Sequence, residues 1–367
     1  MPSAWRKLAC LLWPFRPAYT LANKNEETTM QSRHVVLARR PEGMPVAADF
    51  RVETREMPPL ADGRIMVEVL YTTANPGSRG RLSGGAGYAR PLNIGETMEG
   101  PAIGRVIETT NKDFAVGDLL WGLSGWAEHV QVSGRGMQKI PKDSRHLSAW
   151  AGILNIPGLT AYFGLRDVGA AKSGETVLIS SAAGAVGATA GQIARIMGCR
   201  VIGIASGEER RRWLRDEAKF DAVIDRSEAR DIDALTAKIA AVAPDGIDVY
   251  FDNVGGYVLD AAIGSMKQRG RIIVCGQLAD YNAAPDQRYG TRKVYEFIGR
   301  RLRMEGLVVF DFADRYAKAH ADMTGWIDGG ELKFREHIVD GLEALPELFC
   351  AQLRGEIIGR PLARLAK

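Results

Sequence analysis

The chain has 367 residues, which is too long for one small core and about right for two domains. Its composition, with 46% hydrophobic and 25% charged residues, is typical of a globular protein, and no apolar run reaches the roughly 18 residues that a membrane span needs. The net charge of +4 is mild and the charges are mixed along the chain, which argues against a dedicated nucleic-acid-binding protein.

The first 30 residues combine basic side chains with one short apolar stretch, Leu8 to Phe15. Pro14 interrupts this stretch, and Arg16 follows directly after it. A secretory signal needs a longer apolar segment and a clear small-residue cleavage site. We therefore predict a disordered extension over residues 1–30, with a membrane-contacting segment as the alternative.

Residues 31–155 have the pattern of an irregular β-barrel or sandwich. Short apolar stretches are broken by Gly, Pro and Asp, which is typical of short strands joined by turns. Strands are predicted at Arg64–Leu70, Gly104–Glu108 and Asp118–Trp121.

Residues 156–303 alternate helix and strand signals, which predicts βαβ units and a parallel sheet. Residues 304–367 add a long amphipathic helix around Arg315–Ile327 and a short final strand, and we expect this section to return to the first domain. The strands predicted in the α/β part are short and nearly all apolar, as expected for strands buried on both faces. They are Thr176–Ser180, Arg200–Ile204, Ala222–Ile224, Ile247–Asp252 and Arg271–Cys275.

A glycine-rich turn lies between the first of these strands and a helix predicted over Ala185–Met197. The dinucleotide-binding fingerprint has three glycine positions, which fall here on Ala182, Gly184 and Gly187, so that only the first departs. Because the strand before and the helix after give the required context, we predict that phosphates bind over the backbone amides at the start of this helix. The residues concerned are Gly184, Ala185, Val186 and Gly187.

The end of the second strand indicates which nicotinamide coenzyme is preferred. Enzymes for NAD place Asp or Glu there to hold the ribose 2′-hydroxyl. This chain has Ile204-Ala-Ser-Gly207, with no acid at the tip, and three arginines follow at 210–212. Because a guanidinium pairs with a 2′-phosphate, we predict NADPH, with Ser206 and Arg210 as contacts. The alternative is that all three arginines are surface charges.

Neither the cysteines nor the histidines are spaced as metal ligands. The cysteines form no C-x-x-C pair, and none of the five histidines has a cysteine neighbour. The sequence therefore predicts no metal site, and it predicts reduced thiols in the cytoplasm. The four cysteines are Cys10, Cys199, Cys275 and Cys350.

Several stretches carry a resemblance to one family. From about His34 to Lys367 the chain resembles the zinc-free medium-chain dehydrogenase/reductases, in their NADPH-dependent alkenal/one double-bond reductase branch. The resemblance implies an α/β fold, with a Rossmann doubly wound parallel sheet and a GroES-like β-barrel domain. It also implies an active site between the two domains and a homodimer. The stretches are Ile94-Gly-Glu-Thr-Met98, Gly158-Leu-Thr-Ala-Tyr-Phe-Gly164, Ala182-Ala-Gly-Ala-Val-Gly187, Phe251-Asp-Asn-Val-Gly-Gly256, and Cys275-Gly276 with Tyr281-Asn282.

The resemblance also implies roles for single residues. Thr160 would lie near the nicotinamide, Arg210 would hold the 2′-phosphate, and Asn253 would contact the cofactor through the loop after the fourth strand. Tyr281 would be the proton donor or the group that stabilises the enolate. The nicotinamide side would be lined by Cys275, Gly276 and Gln277.

The chain departs from the family at three places. Relatives often read Asp-Pro-Tyr-Met-Arg where this chain has Asn75-Pro-Gly-Ser-Arg79, which opens the substrate pocket and leaves Asn75 as a cofactor-binding candidate. Arg226 stands where relatives tend to have a tyrosine near the adenosine phosphate, and a second arginine there would strengthen the preference for NADPH. Ile357 replaces an asparagine that contacts the cofactor.

The activity implied is reduction, by NADPH, of the C=C bond of a small α,β-unsaturated ketone or aldehyde. Hydride adds to the electron-poor β-carbon and negative charge moves to the carbonyl oxygen, so a hydrogen-bond donor is needed where the enolate forms. Tyr281 and the nicotinamide ribose hydroxyl are the candidate donors. The alternatives are a quinone reductase of the same superfamily and a non-catalytic regulatory protein that binds NADPH.

Overall fold

The computed structural model describes residues 29–82, 90–283 and 285–366, so nearly all of the predicted extension 1–30 lies outside the described residues. The first part of the chain is built mostly from antiparallel strands joined by turns. Its elements are β1 (Gln31–Leu37), β2 (Phe50–Glu56), β3 (Ile65–Thr73), α1 (Arg79–Leu82), β4 (Pro101–Thr109), β5 (Leu119–Ser124), β6 (His129–Val132), β7 (Gln138–Lys139) and α2 (Leu147–Ala151).

The middle part alternates strands and helices, as the sequence pattern predicts. Its strands β8, β9 and β11 are short apolar runs that are almost completely buried. The elements are α3 (Ile156–Phe163), β8 (Thr176–Ile179), α4 (Ala185–Ile196), β9 (Arg200–Ala205), α5 (Glu208–Asp216), β10 (Ala222–Asp225), α6 (Ile232–Val242), β11 (Ile247–Asp252), α7 (Gly256–Gly264), β12 (Met266–Val274), α8 (Glu296–Arg300) and β13 (Arg303–Gly306).

These six strands form one parallel sheet in the order β10-β9-β8-β11-β12-β13. The order reverses between β8 and β11, which is the topology of the doubly wound dinucleotide-binding fold. Ligands of such sheets bind beyond the carboxyl ends of the strands at that reversal. The predicted fold class, a Rossmann sheet with a separate β domain, is confirmed.

The last strand of the parallel sheet was not foreseen from the sequence. The predicted boundary between residues 303 and 304 falls inside β13, so the sheet continues to Gly306. All four residues of β13 are exposed and two are charged, so the strand lacks the apolar pattern of its neighbours. An edge strand that is not covered has no need of that pattern.

The end of the chain adds strands to the sheet of the first part. In that sheet β15 pairs antiparallel with β3 and parallel with β14. The order of the sheet is β14-β15-β3-β4-β5-β7, with β6 also paired to β3. The final elements are α9 (Tyr316–Asp328), β14 (Glu336–Asp340), α10 (Leu345–Leu353) and β15 (Arg360–Arg364).

An aromatic cluster joins α9 to the first part of the chain. The ring of His320 on α9 lies 4.7 Å from that of Trp121 and 4.8 Å from that of Trp150, measured between ring centroids. The His320 Nε2 atom is 2.8 Å from the carbonyl oxygen of Leu154. Burial lowers the pKa of His320 to about 4, so this side chain is neutral near pH 7.

Candidate active site

The turn between β8 and α4 brings backbone atoms into close contact. Ser181 has a left-handed backbone with φ of 50°, and the Gly184 amide donates to the Ser181 carbonyl at 2.9 Å. A Cβ atom on Gly187 would lie only 2.4 Å from that same carbonyl oxygen. No side chain fits there, so the last fingerprint position must be glycine.

The alanine at the first fingerprint position is accommodated by the neighbouring strand. Ala182 is completely buried and its amide donates to the carbonyl of Ile204 at 3.0 Å. A Cβ atom on Gly203 of β9 would lie 2.8 Å from the Ala182 methyl group. The absence of a side chain at Gly203 therefore makes room for the methyl group at Ala182.

Helix α4 begins with amide groups that no side chain caps. Gly184 is the N-cap residue and offers no side-chain acceptor. The first amides of a helix lack acceptors within the helix, and its dipole favours negative charge at this end. The backbone donors of Ala185, Val186 and Gly187 therefore lie at the carboxyl edge of the sheet, and the binding of an anion there stays a prediction.

The predicted 2′-phosphate residues lie at the ends of two neighbouring strands. Ala205 of β9 and Asp225 of β10 are paired in register, so Ser206 and Arg226 follow side by side. Arg226 is exposed and Ser206 is half-buried. Arg210 on α5 donates to the backbone carbonyls of Gly355 and, at 3.3 Å, Ile357.

An acid also stands at this edge, and an arginine compensates its charge. The Arg211 guanidinium is 3.0 Å from the Asp225 carboxylate and 2.7 Å from that of Glu208. Burial acts to raise the pKa of Asp225, but hydrogen bonds from Ser227 and the charge of Arg211 outweigh it and lower that pKa. Arg211 is thus occupied by carboxylates, whereas the predicted phosphate contacts Arg210 and Arg226 are in none of the ion pairs of the described residues and stay candidates.

Further along the carboxyl edge of the sheet, the loops after β8 and β11 are hydrogen-bonded to each other. The backbone amide of Asn253 donates to the Ser180 hydroxyl at 2.9 Å, and the Asn253 side-chain nitrogen donates to the Ser180 backbone carbonyl at 2.8 Å. Asp252 is completely buried and accepts from the hydroxyls of Ser180, at 3.2 Å, and Tyr250, at 2.8 Å. The predicted cofactor contact Asn253 therefore also fixes the shape of these loops. Together with the loop after β12, which carries Cys275, Gly276 and Gln277, they form what we call the nicotinamide wall.

The loop after β12 belongs to the same wall. The amides of Cys275 and Gly276 both donate to the Asp252 carbonyl, at 2.8 and 3.1 Å. The Gln277 side chain donates to the Asp252 carboxylate at 3.3 Å. Burial raises the pKa of Cys275 to about 12, so its thiol stays protonated at neutral pH and is a poor nucleophile.

Tyr281 follows a short turn, Leu278–Asp280, on this loop. Its hydroxyl oxygen lies 3.4 Å from the position that a Cβ atom on Gly276 would take. The structure therefore brings the predicted catalytic hydroxyl directly onto the predicted nicotinamide wall. A tyrosine hydroxyl at that place is able to donate or accept a hydrogen bond.

Two predicted residues lie on other elements. Thr160 is buried on α3 and its hydroxyl donates to the Ile156 carbonyl at 2.6 Å. Asn75 follows β3 and its side chain accepts from the Gly77 amide at 3.2 Å. Among the hydrogen bonds of the described residues, none joins either side chain to the rest of the predicted site.

Sequence reasoning missed Arg79, a residue of the first domain that hydrogen-bonds to the loop after β12. Its Nε atom donates to the Asn282 side-chain oxygen at 2.9 Å, and its Nη2 atom donates to the Gly43 carbonyl at 2.7 Å. Arg79 is only 4% exposed. Burial lowers its pKa, while the charge of Asp49 opposes that shift. A single sequence gives no signal for a contact between residues so far apart.

Within residues 29–82, 90–283 and 285–366, no three His, Cys, Asp or Glu side chains are grouped so that they would hold a metal ion. In the same residues, every helix is too short or too polar to cross a bilayer.

The arrangement defines a class of protein. An anion cradle at the carboxyl edge of a doubly wound sheet, beside a cavity that Glu336 and Arg360 of the other domain also line, is the arrangement of dinucleotide-dependent oxidoreductases. The part that binds the dinucleotide is continuous in sequence, whereas the other domain is completed by the end of the chain.

Comparison with known proteins narrows this class. Residues 33–140 match a family described as the N-terminal domain of oxidoreductase, and residues 185–324 match one described as zinc-binding dehydrogenase. The chain is 35% identical to the NADPH-dependent curcumin reductase of Escherichia coli, over 92% of this chain and 97% of that protein. It is 36% identical to bovine prostaglandin reductase 1, over 88% and 95%.

A solved structure agrees with these relatives. The chain superposes on CurA from Vibrio vulnificus, crystallised in complex with NADPH, with a TM-score of 0.85 and 35% identity, over 91% of this chain and 99% of that one. The chain belongs to the alkenal/one double-bond reductase branch of the medium-chain dehydrogenase/reductase family.

Proposed function

We propose that this protein uses NADPH to reduce the C=C bond of α,β-unsaturated ketones and aldehydes. The observation that carries the proposal is that the uncapped start of α4 and the Tyr281 hydroxyl against Gly276 both follow carboxyl ends of strands in the same parallel sheet. The names of the relatives, which are reductases of curcumin and prostaglandins, support the same class of reaction.

The cleft fits the phosphorylated coenzyme. The backbone amides of Ala185, Val186 and Gly187 would bind the diphosphate, and the absence of a side chain at Gly187 lets the start of α4 pack closely against the turn before it. Ser206, Arg210 and Arg226 would hold the 2′-phosphate. The carboxylate of Asp225 would repel that phosphate, but its pairing with Arg211 reduces the repulsion.

The protein side of the chemistry rests on Tyr281. NADPH, when bound, supplies a hydride to the β-carbon of the alkene. The Tyr281 hydroxyl donates a hydrogen bond to the carbonyl oxygen as negative charge develops there. A proton from Tyr281 or from water then reaches the α-carbon. The residues around Tyr281 would hold the nicotinamide; they are Thr160, Asn253, Cys275, Gly276 and Gln277.

We also propose that the reaction needs no metal. Stabilising the enolate by hydrogen bonds replaces the role that a Lewis-acidic zinc ion has in alcohol oxidation. The proposal is supported by the spacing of the cysteines and histidines in the sequence. Dialysis against a chelator should leave the turnover of an enone unchanged, and loss of turnover restored by zinc would contradict the proposal.

A homodimer is proposed through the exposed edge of β13. If two such edges pair antiparallel about a two-fold axis at Met304, Arg303 of one copy lies opposite Glu305 of the other. Opposite charges facing across a strand pair stabilise it. Large apolar side chains flank this strand and are more than two-fifths exposed: Tyr295, Ile298, Val308 and Phe310.

A cytoplasmic location is proposed as well. The cysteines within the described residues, Cys199, Cys275 and Cys350, are all free thiols. Unpaired thiols of this kind are typical of proteins from reducing compartments. Fractionation of the source cells tests this location.

The test of the function is NADPH oxidation followed at 340 nm with three acceptors: an enone, a quinone and a saturated aldehyde. We expect turnover of the enone on the order of 1–10³ per second, with the saturated ketone as product. A strong preference for the quinone would favour quinone reductase. NADPH binding without oxidation by any acceptor would favour the non-catalytic regulatory alternative.

A further inference from the structure

The loop that carries Tyr281 is held from two sides. On the side of the α/β part, the buried Asp260 accepts from the Tyr289 hydroxyl at 2.8 Å and from the Arg292 amide at 3.1 Å. On the side of the other domain, the contact is made by Asn282, the residue next to Tyr281, which accepts from Arg79 at 2.9 Å. The second contact therefore joins the two domains.

The geometry of the Arg79 guanidinium makes it suited to fix the position of Asn282 relative to the first domain. The guanidinium is planar and its donors have fixed directions. One donor is tied to the Gly43 carbonyl at 2.7 Å, within the first domain, while Nε points to Asn282. Since Arg79 is 4% exposed, water competes little for these bonds. The Asn282 side-chain nitrogen also faces the Met44 sulfur at 3.8 Å, on the same domain.

We propose that Arg79 and Asn282 act together as positioning residues that hold the Tyr281 hydroxyl over the nicotinamide wall. The inference rests on the proposed function. Tyr281 and Asn282 are adjacent in the chain, so a bond that fixes Asn282 restricts the backbone that places the tyrosine. A hydroxyl that must meet a developing charge loses effect when it is displaced by a fraction of an ångström, because catalysis requires the donor to be pre-positioned.

The test uses Asn282, which is exposed, so that its replacement does not disturb the core. We expect Asn282→Ala to lower kcat for an enone about tenfold, with the Kd for NADPH and the melting temperature unchanged. Asn282→Asp, whose carboxylate also accepts from Arg79, should retain most of the activity. The control is Gln287→Ala, which removes another exposed amide from the same loop and should behave as the wild type.

A second comparison tests whether the effect passes through Tyr281. In a Tyr281→Phe background, which lacks the hydroxyl, Asn282→Ala should cause no further loss of kcat. An equal loss in both backgrounds, or full activity of Asn282→Ala beside an active wild type, would overturn the inference. A wild type that reduces no enone would instead contradict the proposed function itself.

Discussion

At the scale of single residues, coenzyme choice depends on which arginine is available to the 2′-phosphate. Arg211 is engaged by Asp225 and Glu208, whereas Arg210 contacts only backbone carbonyls in the hydrogen bonds of the described chain. Backbone carbonyls are neutral, so a phosphate dianion is the stronger partner for this guanidinium.

Arg210→Asp should therefore shift the preference from NADPH towards NADH. We expect the ratio of kcat/KM for NADPH to that for NADH to fall roughly 10- to 100-fold, since a charged hydrogen bond contributes about 1.5–3 kcal/mol. Arg212→Asp, at an exposed position on the same helix, is the matched control. A ratio that both variants leave unchanged would remove Arg210 from the phosphate site.

His320 makes stability depend on pH through its burial. Its pKa is about 4 in the folded protein against an ordinary 6.5, so between these values the unfolded chain binds a proton that the folded protein does not. The free energy of unfolding therefore falls as the pH drops from 6.5 to 4, by up to roughly 3 kcal/mol from this group.

His320→Gln should remove that contribution, because the amide does not titrate and is able to donate to the Leu154 carbonyl. Urea unfolding at pH 7.5 and 4.5 measures the difference between wild type and variant. His337→Gln, an exposed histidine, is the control and should follow the wild type. A wild-type slope that persists in His320→Gln would show that other groups cause it.

At the scale of elements, burial separates what the sequence predicts from what it does not. Strands β8, β9 and β11 are recognisable because their residues face apolar neighbours on both sides. Strand β13 is not, since its pattern Arg-Met-Glu-Gly is set by solvent on an uncovered edge.

The candidate site divides in the same way. The fingerprint turn and the arginines of α5 are recognisable because each is a short local motif whose chemistry does not depend on distant residues. The contacts of Arg79 with Asn282 and of Asn253 with Ser180 join positions that only the folded chain brings together. In the sequence, Arg79 is a single arginine beside a turn, and nothing there indicates such a partner.

The segment after Tyr281 depends on one buried carboxylate. Asp260 accepts from the hydroxyls of Tyr289 and Thr291 and from the Arg292 amide, so each of these three partners is a donor. In Asp260→Asn an amide would meet at least one of these donors, and we expect the segment to open more easily, by about 1–3 kcal/mol.

Hydrogen exchange of residues 286–292 should be faster in Asp260→Asn than in the wild type. Asp286→Asn, at an exposed carboxylate of the same segment, is the control. Unchanged protection in Asp260→Asn would mean that other contacts hold the segment.

At the scale of the whole molecule, the proposed dimer gives a charge-reversal test. Light scattering should report about twice the 40.0 kDa mass of one chain. Arg303→Glu places like charges opposite each other in the proposed register and should shift the protein towards monomers. The double variant Arg303→Glu/Glu305→Arg restores opposite charges and should recover dimers. Monomeric wild type, or a double variant no better than the single, would reject this interface.

The position of β15 has a consequence for how the protein is made. Strand β15 lies between β3 and β14, so a sheet begun early in the chain is completed only by its final residues. The α/β part, continuous in sequence, is complete on the ribosome while β3, already paired with β4 and β6, still lacks a neighbour along Tyr71–Thr73. At a translation rate of about 5–20 residues per second, this edge of β3 stays unpaired for tens of seconds before β15 has been synthesised. During that interval, the nascent amino-terminal third exposes an unpaired strand edge, which is the kind of surface that chaperones protect.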